Sequence, residues 1–363
     1  MQQRDFIDLI SRKRTGLWAG FLRLWLRFAS LFFWLGARTR LLLYCIGLLP
    51  RHKVERPVIC VGNLTTGGTG KTPAVAWVVG VLREAGLKPA IVSRGYGGDE
   101  RGNDELKVLA ELCPGVPHVQ NPDRVAGARK AIADGAEVIV LDDGFSHLRL
   151  RRDLDILLFD ALNPFGFGRM LPRGLLREPL SSVRRAKCAI FTHADAATPE
   201  RLRDLEDTVR CKGFVGPTAH AAHRPVRLVD LLTGQEKSLE TLRGVTIAPF
   251  CGIGNPRGFA RTLELLGAKL TPLEVLRLDD HAALDGREVQ RQVVPFVRAC
   301  SDVGASLAIC TQKDAVKLRA ASDLKEALRG AEMPVLELRV QLDVIRDVEA
   351  VKAAILAAAG KGA

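Results

Sequence analysis

The stretch VICVGNLTTGGTGKTP, residues 58–73, is the part of the sequence that most constrains the fold. It has the pattern of a buried strand, a glycine-rich turn ending in Gly70-Lys71-Thr72, and the start of a helix. Glycines in such a turn let successive backbone N–H groups converge on one anion, because no Cβ obstructs the approach. The positive end of the following helix adds to this attraction. The stretch therefore predicts a phosphate-binding loop.

The residues of this loop predict a nucleoside triphosphate as ligand, bound with Mg²⁺. Lys71 would bring a charge to the β- and γ-phosphates, and the Thr72 hydroxyl would face the metal. The pattern G-x-x-x-x-G-K-[ST] requires its first glycine at position 65, where this chain has Thr65. The preceding glycine, Gly62, lies three residues before that position. We expect the nucleotide to contact Thr65, Thr66, Gly67, Gly68, Thr69, Gly70, Lys71 and Thr72.

Two adjacent carboxylates follow another apolar run, EVIVL at 137–141. The carboxyl end of a strand beside a phosphate loop is where hard oxygen ligands for Mg²⁺ are expected. We therefore predict Asp142 and Asp143, together with Thr72, as metal ligands. His147, four residues further on, either contacts a phosphate or packs.

Apolar strands alternate with amphipathic helices along most of the chain, which is typical of an α/β fold. The strands and helices in the first part of the chain predict a P-loop NTPase-type, mostly parallel sheet flanked by helices. Its strands are expected at 57–62, 88–93, 137–141, 154–159 and 188–192. The strands and helices in the last part of the chain predict a smaller α/β domain, with strands at 245–251, 269–276, 307–311 and 335–338. We place the domains at 1–50, 51–215 and 216–363, with a boundary near 212–225. The 8 scattered cysteines include no C-x-x-C pair, which indicates reduced core residues rather than a metal cluster.

The N-terminal segment is both basic and apolar. Residues 1–56 hold eleven Lys and Arg against three acidic residues, so they carry most of the net charge of +12. This charge brackets the apolar run 16–37, on which Arg23, Arg27 and Ser30 share one helical face. Such a pattern indicates anionic lipid rather than nucleic acid. We expect a membrane-associated helix that either spans the bilayer or lies in its interface, the alternative being a helix that caps the soluble domain with its apolar face.

Seven motifs occur in one order along the chain: VGNLTTGGTGKTP, SRGYGG, LDDGFSHLRLRRDLDILLFDA, LPRGLLREP, FCGIGNPRGF, DDHAAL and TQKDAVK. Together they resemble the tetraacyldisaccharide 4′-kinase family, the lipid A kinases, over nearly the whole chain. The resemblance implies transfer of the ATP γ-phosphoryl group to the 4′-hydroxyl of a tetraacylated glucosamine disaccharide 1-phosphate, which forms lipid IVA. It implies ATP and Mg²⁺ as cofactors and a place at the cytoplasmic face of the bacterial inner membrane. We expect a monomer whose partners are this acylated disaccharide and an anionic membrane surface, with no nucleic acid.

The resemblance also assigns active-site roles by position. Arg177 and Glu178 match an active-site pair of the family, and Arg177 would stabilise charge on the transferring phosphoryl group. His147 matches the histidine of the family motif DDGFQH, in which Ser146 here replaces the glutamine. The contact made by that amide is therefore lost in this chain.

The general base is assigned in the same way. Asp104 matches the aspartate that the family uses to accept the proton of the sugar hydroxyl, and His281 matches its histidine partner. Two departures from the family pattern bear on this assignment: Ala282 replaces a second His or Tyr, and the segment before Asp104 is short. Asp99 and Glu100 therefore remain alternatives for the base.

A different class of protein is the main alternative. A membrane-associated P-loop switch or assembly ATPase would hydrolyse its nucleotide to drive conformational change. Guanine specificity is disfavoured, because the run TQKD at 311–314 places its lysine one position too late for the N-K-x-D or T-K-x-D pattern.

Overall fold

The computed structural model describes residues 3–95, 104–278, 286–320 and 333–361. Contacts divide these residues into two compact units. The first unit contains residues 3–95, 113–223 and 342–361, and the second contains 104–112, 224–278, 286–320 and 333–341. The predicted domains at 1–50, 51–215 and 216–363 stay a prediction. The division by contacts differs from them, because 104–112 belongs to the second unit and 342–361 to the first.

Helices and strands alternate along the chain, as the sequence predicts. In chain order they are α1 (Gln3–Ile10), α2 (Leu17–Cys45), β1 (Val58–Asn63), α3 (Lys71–Glu84), β2 (Pro89–Ser93), α4 (Asp104–Leu112), β3 (His118–Gln120), α5 (Arg124–Ala133), β4 (Val138–Asp142), β5 (Leu154–Asp160), β6 (Cys188–Thr192), α6 (Pro199–Cys211), β7 (Thr218–Asp230), β8 (Glu236–Lys237), β9 (Thr246–Cys251), α7 (Pro256–Leu265), β10 (Lys269–Leu270), β11 (Leu276–Arg277), α8 (Gly286–Glu288), a π-helical segment (Val289–Val293), α9 (Val294–Asp302), β12 (Leu307–Thr311), α10 (Gln312–Ala320), β13 (Val335–Arg346) and α11 (Val348–Ala358). Short 3₁₀ helices occupy Gly166–Gly168, Leu180–Arg185, Ala194–Ala196 and Leu239–Leu242.

The first unit is built on a parallel sheet in the order β7-β6-β5-β1-β4-β2-β3. Strands β1, β2, β4 and β6 are buried along their whole length, which explains why their sequences are continuous apolar runs. Strand β1 pairs with β4 on one side, where Val61 lies opposite Asp142, and with β5 on the other. The carboxyl ends of β1 and β4 therefore meet at one edge of the sheet, which is where ligands bind in such folds.

The second unit has its own parallel strands in the order β10-β9-β12-β13, with β11 beside β9. An ion-pair network holds α4 within this unit. Glu111 of α4 accepts hydrogen bonds from Arg319 at 2.7 Å and from Arg339 at 3.0 Å. Both arginines also contact the fully buried Glu337. Buried carboxylates persist when cations and hydrogen bonds compensate them, and this network meets that condition.

One detail of the sequence prediction is corrected by the structure. The predicted strand at 269–276 is wrong, because β10 and β11 are separated by a turn. Pro272 lacks the N–H that a strand donates, and Glu274 takes a φ of 58°, outside the extended region. The boundary near 212–225 stays a prediction; the two units divide after His223, within this range and inside β7, which begins at Thr218.

Helix α2 contacts the rest of the first unit partly through polar groups and leaves most of its large apolar side chains exposed. The Ser30 hydroxyl lies 3.0 Å from the Met170 carbonyl oxygen, and Arg40 donates to the Ser146 carbonyl at 2.7 Å. Leu17 is 97% exposed and Phe32 is 72% exposed. The alternative of a helix capping the domain with its apolar face is therefore wrong.

In the part of the chain that the structure describes, no helix has both the length and the apolar character needed to cross a membrane. All 8 cysteines are free, and all but Cys45 and Cys211 are buried, as expected for core residues.

Candidate active site

The loop between β1 and α3 has the shape expected of a phosphate-binding turn. Gly67 and Gly70 take φ values of 113° and 76°, which favour glycine. A Cβ on Gly67 or Gly68 would meet no atom within 4 Å, so this part of the loop is open to a ligand. Gly62 has a different role, because a Cβ there would lie 2.7 Å from that of Phe145. It allows β1 to pack closely and does not replace the first glycine of the loop pattern.

Gly70→Ala should destabilise the first unit strongly. The left-handed backbone costs a non-glycine residue about 1–2 kcal/mol. The added Cβ would also lie 2.4 Å from the His223 imidazole, and overpacking of this kind costs about 1–3 kcal/mol more. Gly86→Ala is the matched control, since Gly86 has a φ of 75° and open space around it. Urea unfolding should show the larger loss for Gly70→Ala, and equal losses would contradict the steric part of the argument.

Arg177 joins the loop to the carboxylates. Its guanidinium donates to both oxygens of Asp143, at 2.6 and 2.9 Å, and to the Asn63 side-chain oxygen at 2.6 Å. Lys71 donates to the same Asn63 oxygen at 3.4 Å. Four side chains from separate parts of the chain thus form one connected group. Asn63 is a residue that the sequence reading missed, and its only signal is its position at the end of an apolar strand before the loop.

The charges of this group keep Asp143 ionised. Burial alone would raise the pKa of Asp143, but the hydrogen bonds from Arg177 and the charges of Lys71, Arg177 and Arg124 outweigh it and lower that pKa. Arg177 shows the converse: burial lowers its pKa, and its contacts with Asp143 raise it overall. The site thus holds a compensated ion pair at neutral pH.

Arg124 adds a further positive charge beside the carboxylates. It is the first residue of α5 and is only 6% exposed. Burial and the charge of Arg94 lower its pKa, whereas Asp143 and Asp142 partly offset this. Lysine and arginine side chains therefore surround two carboxylates at the loop, a charge balance that attracts a polyphosphate.

The donors at the loop fit Mg²⁺ bound together with phosphates. Asp142 ends β4 and is 3% exposed, and Thr72 is the second residue of α3. Both oxygens of Asp143 already accept from Arg177, so a metal ion there would compete with the guanidinium. No group of three or more His, Cys, Asp or Glu residues that would hold a metal occurs among the described residues. The Asp142 carboxylate and the Thr72 hydroxyl are oxygen donors that suit Mg²⁺, which usually takes one or two carboxylates and completes its shell with phosphate and water.

Glu178 and Arg177 contact different partners. Glu178 is 2% exposed and accepts from Arg185 at 2.6 Å, whereas Arg177 contacts Asp143. The Arg185 guanidinium in turn lies 4.1 Å from the centre of the Phe145 ring. The structure thus brings Arg177 to the loop and places Glu178 in a neighbouring buried ion pair.

His147 is neutral at physiological pH. Burial lowers its pKa to about 4, and the charges of Arg124 and Arg152 act in the same direction. Its backbone N–H donates to the Gly144 carbonyl at 2.8 Å, within the turn that follows Asp143.

The residues assigned to the general base lie in the second unit or outside the described residues. Asp104 is the first residue of α4, and its carboxylate lies 3.6 Å from the Lys317 ammonium. His281, Asp99 and Glu100 lie outside the described residues. Their roles stay predictions.

The central strand of a parallel sheet leads into a glycine loop, a lysine begins the next helix, and a carboxylate ends the neighbouring strand. These features define a P-loop nucleotide-binding protein. The model of the tetraacyldisaccharide-1-P 4′-kinase family matches residues 22–359, and the chain belongs to that family. The resemblance of the seven motifs is thereby confirmed.

Individual relatives agree with this assignment. A tetraacyldisaccharide 4′-kinase of Anaeromyxobacter sp. (strain K) is 38% identical over 340 residues, covering 89% of this chain and 87% of the relative. One from Syntrophotalea carbinolica is 39% identical over 318 residues, covering 81% and 84%. Among solved structures, LpxK from Aquifex aeolicus in complex with ATP is similar with a TM-score of 0.69 and 27% identity, covering 93% of this chain and 99% of that one.

Proposed function

We propose that this protein transfers the γ-phosphoryl group of ATP to the 4′-hydroxyl of a tetraacylated glucosamine disaccharide 1-phosphate, forming lipid IVA. One observation carries the proposal: a chain matched to the kinase family over residues 22–359 keeps Lys71, Arg177 and Asp143 in one connected group at its phosphate loop.

Each side chain of the site has its own role in an in-line phosphoryl transfer. The loop N–H groups and Lys71 bind the phosphates, and Arg177 stabilises negative charge as the phosphoryl group moves. Asp142 and Thr72 would hold Mg²⁺, which when bound neutralises phosphate charge. Asp104 accepts the proton of the sugar hydroxyl, and His281 orients that carboxylate. Catalysis then depends mainly on positioning and charge neutralisation.

We also propose that the protein acts as a monomer on an anionic membrane surface, at the cytoplasmic face of the bacterial inner membrane. Helix α2 supports the membrane surface, because its exposed apolar side chains are flanked by arginines. A helix of this kind lies in the interface with its apolar face among the acyl chains.

The direct test incubates the purified full chain with γ-labelled ATP, Mg²⁺ and tetraacyldisaccharide 1-phosphate in detergent micelles. We expect the label to appear in the lipid. Label released only as free phosphate would contradict the proposal and would favour a P-loop switch or assembly ATPase.

Asp104→Asn should lower turnover while leaving ATP affinity unchanged. A positioned general base contributes about 10²–10⁴-fold, so a loss of this order is expected at saturating disaccharide. Glu105→Gln is the control, because it changes the adjacent, exposed carboxylate of α4. Single-turnover kinetics and ATP titration measure the two quantities. Wild-type turnover in Asp104→Asn would show that another residue is the base.

A further inference from the structure

Two motifs with no role in the site described above, FCGIGNPRGF and TQKDAVK, contact each other in the second unit. Helix α10 begins at Gln312, and Thr311 lies immediately before it. The Thr311 hydroxyl accepts from the Asp314 N–H at 3.4 Å and donates to one oxygen of the Asp314 carboxylate at 2.5 Å. The other oxygen accepts from the Gly252 N–H at 3.0 Å. These contacts cap α10 and fix where the helix begins.

The cap is followed by a buried lysine on the same side of α10. Lys317 comes three residues after Asp314, a spacing that places two side chains on one face of a helix. Only 6% of Lys317 is exposed. Burial raises the pKa of Asp314, and the hydrogen bonds from Thr311 and Gly252 and the charge of Lys317 oppose that rise. Lys317 therefore has an acidic neighbour in its own helix, and the cap holds that neighbour in place.

A second carboxylate contacts the Lys317 ammonium from α4. Oδ2 of Asp104 lies 3.6 Å from the ammonium nitrogen. The two partners differ in accessibility, because 5% of the Lys317 side chain is exposed, against 36% of the Asp104 side chain. A buried ammonium is costly unless carboxylates compensate it, so the pair with Asp104 stabilises the position of both groups. The cation is fixed by its buried surroundings, while the carboxylate stays accessible to a ligand.

A separate set of contacts holds α4 within the second unit. Glu111, near the opposite end of this helix of 9 residues, pairs with Arg319 at 2.7 Å and with Arg339 at 3.0 Å. Helix α4 is thus attached without the pair between Lys317 and Asp104. That pair acts instead on the residue of α4 that is proposed to accept the substrate proton.

We propose that Lys317 is a positioning residue for the general base: its ammonium holds Oδ2 of Asp104 and leaves Oδ1 to accept the proton of the 4′-hydroxyl. The proposal rests on the kinase function and on the role of Asp104 proposed above. As the sugar oxygen bonds to the γ-phosphorus, its proton moves to Oδ1, and the bond from that phosphorus to the β–γ bridging oxygen of ATP breaks. ADP leaves with the bridging oxygen.

The test measures kcat and the KM for ATP of Lys317→Met in the full-length protein, alone and combined with Asp104→Asn. Methionine keeps an unbranched side chain without the charge, and Lys317→Gln is a second uncharged variant that retains a polar group. Arg319→Met is the matched control, because it removes a cation of the same helix that also pairs with α4. Arg339 still contacts the same two carboxylates in that variant, so the fold should tolerate it. A thermal melt of each variant measures its folding.

We expect Lys317→Met and Lys317→Gln to lower kcat about tenfold to a hundredfold, the loss that a small displacement of a catalytic group produces, with the KM for ATP unchanged. In the Asp104→Asn background they should cause no further loss, because Lys317 acts only through that carboxylate. Lys317→Arg should restore most of the turnover, since it keeps a cation at this position. Arg319→Met should have a kcat near that of wild type in either background.

Several results would overturn the proposal. Wild-type turnover in Lys317→Met would show that the ammonium does not position the base. Losses of Lys317→Met and Asp104→Asn that multiply in the double variant would show that Lys317 acts independently of Asp104. Equal losses in Lys317→Met and Arg319→Met would indicate a general loosening of α4, and a Lys317→Arg enzyme as slow as Lys317→Met would show that the charge is not what matters.

These failures differ from a failure of the kinase function. Each of them is measured against a wild type that transfers the label, so the kinase function stands and the role of Lys317 alone is lost. A wild type that transfers no label would overturn the kinase function and this role together.

Discussion

Lys71→Ala should lower phosphoryl transfer by about a hundredfold to a thousandfold, with the fold intact. The Lys71 ammonium lies at the start of α3 and 3.4 Å from the Asn63 oxygen, so it is held beside the open part of the loop. Removing one preorganised charge of this kind typically costs about 10²–10³ in kcat. The measurement is initial velocity with labelled ATP at saturating disaccharide, together with a thermal melt.

Lys130→Ala is the matched control, because Lys130 is exposed and forms only a surface pair with Asp134. It should behave as wild type, since surface pairs contribute little. If Lys71→Ala also retained full activity, the loop would not be the nucleotide site.

Arg177→Gln should lower turnover by about a hundredfold and weaken the first unit as well. The variant leaves Asp143 without the guanidinium that contacts both of its oxygens, and the pKa of that carboxyl should rise toward its ordinary value. Arg177→Lys should recover little, because one ammonium group cannot contact Asp143 with two parallel hydrogen bonds and reach Asn63 as well. The pH dependence of turnover should therefore move to higher pH in Arg177→Gln.

Arg149→Gln provides the comparison, since Arg149 pairs with Asp123 at 3.0 Å on an exposed surface. Its loss should change neither turnover nor the melting temperature appreciably. An Arg177→Gln enzyme with an unchanged pH profile would mean that the guanidinium does not control the ionisation of Asp143.

The sequence predicts best those parts of the fold that depend on local patterns. Strands β1, β4 and β6 are continuous apolar runs, and α3 begins at Lys71 as the motif predicts. The strand predicted at 269–276 failed because a turn interrupts it, and the position of Pro272 within that stretch was the available signal.

The sequence does not predict which residues of distant segments contact one another. Arg177 and Asp143 are 34 positions apart, and the motif order implied that both belong to the site but not that they pair. The family resemblance assigns Arg177 and Glu178 as an active-site pair, but their side chains contact different partners, Asp143 and Arg185.

Helix α11 has a consequence for how the protein is made. Its buried Val351 and Ile355 belong to the first unit, and Lys361 just after it donates to the Ala85 carbonyl at 2.8 Å, at the end of α3. The ribosome reaches this helix only after the whole second unit, a delay of order ten seconds at ordinary elongation rates. Until then the apolar surface beneath α11 stays uncovered, so the nascent kinase should need a chaperone or the bilayer to shield it during synthesis.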